Sequence, residues 1–186
     1  MPCLYFREPG EEMTRLTLER AARRARELDI RSVVVASTTG KTGVLAAPLF
    51  RGRNLVVVTH SAGFNRPDHQ EFDQALRRKL EASGVKILTC QHAFGGVGRA
   101  VRKKLATYEL EEIMAFTLRL FGQGVKVAVE IALMAADAGL ISTQEPCLSI
   151  GGTGRGVDAA LLLKPANAQT FFDLKVMEIL AKPRLG

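Results

Sequence analysis

The sequence predicts an α/β domain built on a mostly parallel sheet. Short β-branched runs without polar alternation, such as Ser32-Val33-Val34-Val35-Ala36-Ser37 and Asn54-Leu55-Val56-Val57-Val58-Thr59, have the composition of strands covered on both faces. Segments of helical period separate them, and alternating strands and helices favour parallel strands joined by right-handed crossovers. Glycine-rich stretches follow several strands, where open α/β sheets bind their ligands.

In chain order, residues 11–28 place Met13, Leu16, Leu18, Ala21, Ala22, Ala25 and Leu28 near helical spacing between arginines and glutamates, which predicts a surface helix. The strand over 32–37 follows, then a short helix over 42–50 and a second buried strand over 54–59. A helix over 68–82 ends at Ser83-Gly84 and leads to a third strand over 85–89. The middle of the chain is helical in two pieces, 109–121 and 123–138, broken near Gly122 and Gly124. In the second piece Val125, Val129, Ala132, Leu133, Ala136 and Leu140 share one face, with Lys126, Glu130 and Asp137 on another. Strands follow over 146–151 and 159–164. Residues 174–181 read as a sixth strand, with a final helix as the alternative.

Residues 1–186 are read as a single domain. Apolar residues make up 47% and charged residues 24%, enough for a core and too little bias for extended disorder. The formal charge of +7 is spread along the chain, with dense stretches over 20–26, 77–79 and 99–104 that read as solvated helix faces. Aromatic content of 6% without Trp offers few platforms for bases, so a nucleic-acid partner is not expected; an attraction for small anionic ligands is. Cys3, Cys90 and Cys147 have neither disulfide-framework nor zinc spacing. The N-terminus has no charged start followed by an apolar run, and the most apolar window, 121–141, carries Lys126, Glu130 and Asp137. A cytoplasmic protein with no membrane span is the expectation. Met134, Leu140 and their apolar neighbours leave room for a homo-oligomer.

The loop Ser37-Thr38-Thr39-Gly40-Lys41-Thr42-Gly43 is the most informative stretch. Three consecutive hydroxyls (Ser37, Thr38 and Thr39), a lysine, a further threonine and two glycines lie between a buried strand and a helix start, where backbone N–H groups and the helix dipole favour a phosphate. Gly40-Lys41-Thr42 matches the end of a nucleotide-triphosphate loop, but that motif needs glycine where Val35 stands, and no strand ends in the aspartate expected at magnesium. Two further glycine loops are Phe94-Gly95-Gly96-Val97-Gly98-Arg99 and Gly151-Gly152-Thr153-Gly154-Arg155-Gly156. Val101 and Val157 occupy the third-glycine positions of a dinucleotide fingerprint, so that reading is unsupported. Arg155 either clamps an anion or is a solvated turn residue, and Asp158 either fixes it or caps the turn. His60, just past the second strand, faces the same crevice as a proton donor, a ring contact or a satisfied polar residue; His69 and His92 are weaker candidates. A base role for His60 requires a carboxylate partner that sequence order does not supply.

From Ser32 to Ser61 the chain resembles the C-terminal domain of pyruvate kinase, in which a Thr/Ser-rich loop with glycine and a basic residue holds a phosphate of a sugar-bisphosphate effector. The matching positions are Ser37, Thr38, Thr39, Gly40, Lys41 and Thr42. With the run from Phe121 to Glu130 and that from Gly151 to Asp158, the whole chain resembles the stand-alone pyruvate kinase α/β-domain family of archaeal and bacterial proteins. That resemblance implies a three-layer α/β/α sandwich and flavin mononucleotide (FMN) as ligand. Its phosphate would lie on the Ser37 to Gly43 loop and its ring toward Gly95, Gly96, Thr153, Gly154 and Arg155, with His60 nearest the ring. The catalytic barrel of pyruvate kinase has no counterpart in these 186 residues, so that activity is not expected. The alternative is a regulatory or sensing module for a phosphorylated sugar or other metabolite, without chemistry of its own.

Overall fold

The computed structural model describes residues 1–184. Seven strands form one sheet: β1 (Leu4–Phe6), β2 (Ser32–Ala36), β3 (Asn54–Val58), β4 (Lys86–Leu88), β5 (Cys147–Gly151), β6 (Ala159–Lys164) and β7 (Lys175–Pro183), in the order β1-β7-β6-β5-β2-β3-β4. The helices are α1 (Thr14–Glu27), α2 (Lys41–Leu49), α3 (Gln74–Ala82), α4 (Val97–Leu105), α5 (Leu110–Arg119) and α6 (Gln123–Asp137).

The three-layer sandwich is present, and successive strand residues feed opposite layers as the pleat requires. Val33, Val35, Leu55, Val57, Leu148 and Ile150 pack under α1, α2 and α3. Val34, Val56, Cys147, Leu161 and Leu163 pack under α6, joined by Ala115 of α5. Both β2 and β3 are buried on both faces, which is why their composition lacks alternation.

Strand–helix alternation does not hold throughout. Strand β6 runs antiparallel to both β5 and β7, while all other neighbours are parallel. Residues 152–158 are too few for a crossover, so the chain can only reverse there. The segment expected over 174–181 is a strand, running Lys175–Pro183, and an additional short edge strand, β1, pairs with β7. The helix expected from residue 68 starts only at Gln74, where Asp73 caps it by accepting from the N–H groups of Ala75 (2.8 Å) and Leu76 (2.9 Å). The basic stretch after Gly98 belongs to α4. No helix among the described residues is long and apolar enough to cross a membrane.

Two glycines let α6 settle onto the sheet. A Cβ on Gly151 would lie 2.3 Å from the Gly124 carbonyl oxygen, and one on Gly124 would lie 2.4 Å from Asp158 Oδ1. This contact sets the helix start beside the carboxyl ends of β2, β3 and β5, where the crevice described below opens.

Candidate functional site: a crevice at the strand ends

Beyond β2 the chain is held by Ser37. Its N–H donates to Val58 O (2.9 Å), and its buried hydroxyl accepts from the N–H groups of Gly40 (3.2 Å) and Gly43 (3.3 Å). Gly40 turns the chain into α2 with φ +96°, and an added Cβ there would meet the Phe72 ring at 2.9 Å. The amides of Thr38, Thr39, Lys41 and Thr42 have no protein acceptor among the described residues. They are the unpaired donors of a helix start, and the macrodipole adds positive potential to them.

This loop edges a cavity of about 470 Å³, whose wall includes Thr38, Thr39, Lys41, Thr42, Gly154 and Arg155. A second cavity of about 450 Å³ continues from it; Ser37, Thr38, His60 and Gln123 line both. The first and third glycine loops therefore converge. Gly40 and Gly43 shape the first loop from behind, Gly43 against Leu80 and Val57. The Thr153 N–H donates to Asp158 Oδ2 (3.2 Å) and so stabilises the third loop. Gly95 and Gly96 line an adjoining depression, which meets the second cavity at Phe64, His92 and Arg99. Asp158 also accepts from Gly10 N–H (3.2 Å), and among the described residues it has no ion pair with the exposed Arg155. It is fully buried with Oδ1 unpartnered, and burial raises its pKa.

His60 sits where the two cavities meet. Its Nδ1 lies 2.9 Å from Glu71 Oε2; a carboxylate only accepts, so Nδ1–H donates and Nε2 carries the lone pair of the neutral ring. The Nε2 atom faces the hydroxyl of Thr38 at 3.4 Å. Gln70 donates to the His60 carbonyl (2.9 Å), and Phe64 stacks on the imidazole with centroids 4.0 Å apart. Arg99 covers Phe64 at 4.9 Å.

The neighbouring His92 accepts at Nε2 from the Ser61 N–H (3.3 Å), and burial pushes its pKa down to about 4. It stands in the wall as a neutral ring at neutral pH.

Charged residues line the second cavity, among them Arg99 and Arg102 from the stretch 99–104 expected on a solvated face. Lys126 and Glu130 pair one turn apart on α6 with side-chain exposures of 5% and 3%, and Glu130 Oε1 accepts from Phe94 N–H (2.8 Å). Burial lowers the Lys126 pKa below the usual lysine value, against the pull of Glu130. Arg102 pairs with the buried Glu112 (2.8 Å), whereas Arg99 and Arg119 have no carboxylate partner among the described residues. Arg119 donates from Nε to Gln123 Oε1 (2.7 Å), which fixes that amide and leaves its N–H donors free. Among the described residues no group of three His, Cys, Asp or Glu is placed to hold a metal ion.

A partial signal marked Lys126 and Glu130: helical spacing groups them with Asp137 on one face, but their burial is not written in it. Glu71 and Phe64 had none, because they lie in an aperiodic stretch after β3.

No protein-family model matches the chain. Among solved structures, a pyruvate kinase from Cryptosporidium parvum matches 81% of this chain at 13% identity and a TM-score of 0.42, over 22% of its own length. A Cryptosporidium parvum pyruvate kinase in complex with ADP matches 81% at 14% identity and a TM-score of 0.42, again over 22%. A further structure of Cryptosporidium parvum pyruvate kinase matches 86% at 12% identity and a TM-score of 0.40, over 23% of its length. This chain thus spans less than a quarter of the pyruvate kinase chains to which it is similar.

Proposed function

We propose that the crevice binds a phosphate monoester, with the phosphate on the Ser37 to Gly43 loop and the body in the second cavity. One observation carries this reading: four amides unpaired among the described residues, two accessible hydroxyl side chains and the Lys41 ammonium gather at one helix start, on the rim of an open crevice. FMN is the monoester that the sequence resemblance implies. The residues present suit it: the loop supplies phosphate donors, and His60, Phe64, Phe94 and Phe116 supply faces for a planar ring. FMN added to purified protein should lose fluorescence and show a shifted absorption band. Lys41→Ala should weaken that binding by about 1.5 kcal/mol, roughly tenfold, through loss of a charge-assisted hydrogen bond. An unchanged flavin spectrum in protein excess counts against FMN.

A phosphorylated sugar held for sensing is the second reading. The cations in the second cavity favour it: among the described residues Arg99 and Arg119 have no carboxylate partner, and they suit a second anionic group on the ligand. A sugar bisphosphate that raises the melting midpoint while FMN does not would select this reading.

A further inference from the structure

His60 is held more firmly than a wall residue requires. Glu71 fixes its tautomer at 2.9 Å, Gln70 pins its carbonyl, and Phe64 fixes the ring plane. These contacts leave Nε2 turned toward the loop, where it meets the Thr38 hydroxyl at 3.4 Å on the cavity wall. A histidine oriented by a carboxylate and open to a ligand cavity has the arrangement of a general base. Its nearness to the loop places the atom that reacts within a few bonds of the phosphorus. Farther along the same chamber stand groups that stabilise negative charge on oxygen: the free amide donors of Gln123 and the ammonium of Lys126.

We infer that the crevice catalyses proton transfer on a phosphorylated carbonyl compound, with His60 as catalytic base and Glu71 as the residue that positions it. Nε2 takes a proton from the carbon next to the carbonyl, and the C–H electron pair forms the carbon–carbon double bond of an enediolate. The carbonyl π pair moves onto oxygen, where Gln123 and Lys126 receive the charge. The imidazolium, held by Glu71, then returns a proton to the same carbon while the oxygen pair re-forms the carbonyl, giving exchange; in an α-hydroxy carbonyl compound the hydroxyl proton can first pass to the charged oxygen, and protonation of the neighbouring carbon then gives isomerisation, with no co-reactant consumed. The inference rests on the loop being a phosphate site and is independent of FMN, which would compete for that loop.

The test uses the full chain in deuterated buffer with dihydroxyacetone phosphate and ribulose 5-phosphate, followed by proton NMR for loss of the C–H signal next to the carbonyl. Thermal shift with the same two compounds runs in parallel. Exchange should exceed the buffer rate by at least about 100-fold, within the range of a positioned base, and His60→Ala should return it to background. Glu71→Gln should lower kcat while leaving KM in place, and Glu71→Asp should restore part of the loss. A thermal shift without exchange in the wild type overturns the inference and leaves the phosphate site standing. Absence of both shift and exchange overturns the inference, and where FMN also keeps its free spectrum the phosphate site falls with it. Exchange that survives His60→Ala, or inorganic phosphate released without deuterium uptake, also overturns it. A rise in KM alone for Glu71→Gln removes the positioning role.

Discussion

The buried pair of Lys126 and Glu130 offers a measurement on one wall of the chamber. Replacing Lys126 by Met keeps the length and apolar stem of the side chain but removes the ammonium from a carboxylate that is 3% exposed. Among the described residues, Glu130 then retains the Phe94 N–H as its one donor. Stranding one charge of a buried pair costs about 3–5 kcal/mol. For a protein of this length that is a fall of about 6–20 °C in melting temperature. In Lys126→Met/Glu130→Gln the glutamine oxygen still accepts from Phe94, no charge is buried, and the remaining penalty is an unpaired amide of about 1–3 kcal/mol. The double variant should therefore be more stable than Lys126→Met alone by about 2 kcal/mol in urea unfolding, so that the losses of the two single variants do not add. The wild type should also gain stability with rising pH between the lowered Lys126 pKa and the ordinary lysine value of 10.5, because the unfolded chain binds more protons there. Lys126→Met should lack that rise. Additive losses, or a penalty below about 1 kcal/mol for Lys126→Met, would mean that water solvates the pair and that the chamber is not the low-dielectric site required for charge stabilisation.

Two further perturbations probe the crevice. His92 has its pKa depressed from 6.5 to about 4, so the folded state resists a proton that the unfolded chain accepts. Stability should fall by about 3 kcal/mol as pH drops from 6.5 to 4 through this group alone, and His92→Gln should remove that part of the slope in pH-dependent unfolding; an unchanged slope rejects the assignment. Gly40→Ala forces a side chain to φ +96° and against Phe72, and should cost about 2 kcal/mol in urea unfolding together with loss of the phosphate loop's affinity for FMN or a sugar phosphate; a variant of wild-type stability and affinity would show that the turn has slack.

The sequence by itself determined the layers of the fold and singled out the Ser37 to Gly43 loop as the candidate site. Both are written in local chemistry: unalternating β-branched runs for doubly covered strands, and hydroxyls, lysine and glycine between strand and helix for a loop rich in hydrogen-bond donors. Strand direction at β6 was less legible, since it depends on the short span of residues 152–158 rather than on the strand's composition. What only tertiary structure decided is the company His60 keeps. Glu71 comes from an aperiodic stretch that carries no pattern, and it reaches His60 because residues 62–73 fold back over the end of β3. Lys126 and Glu130 arrive from α6 on the opposite layer, admitted by the close approach of Gly124 to Gly151. Hydrogen bonds across such separations are set by packing, and no period in the sequence encodes them.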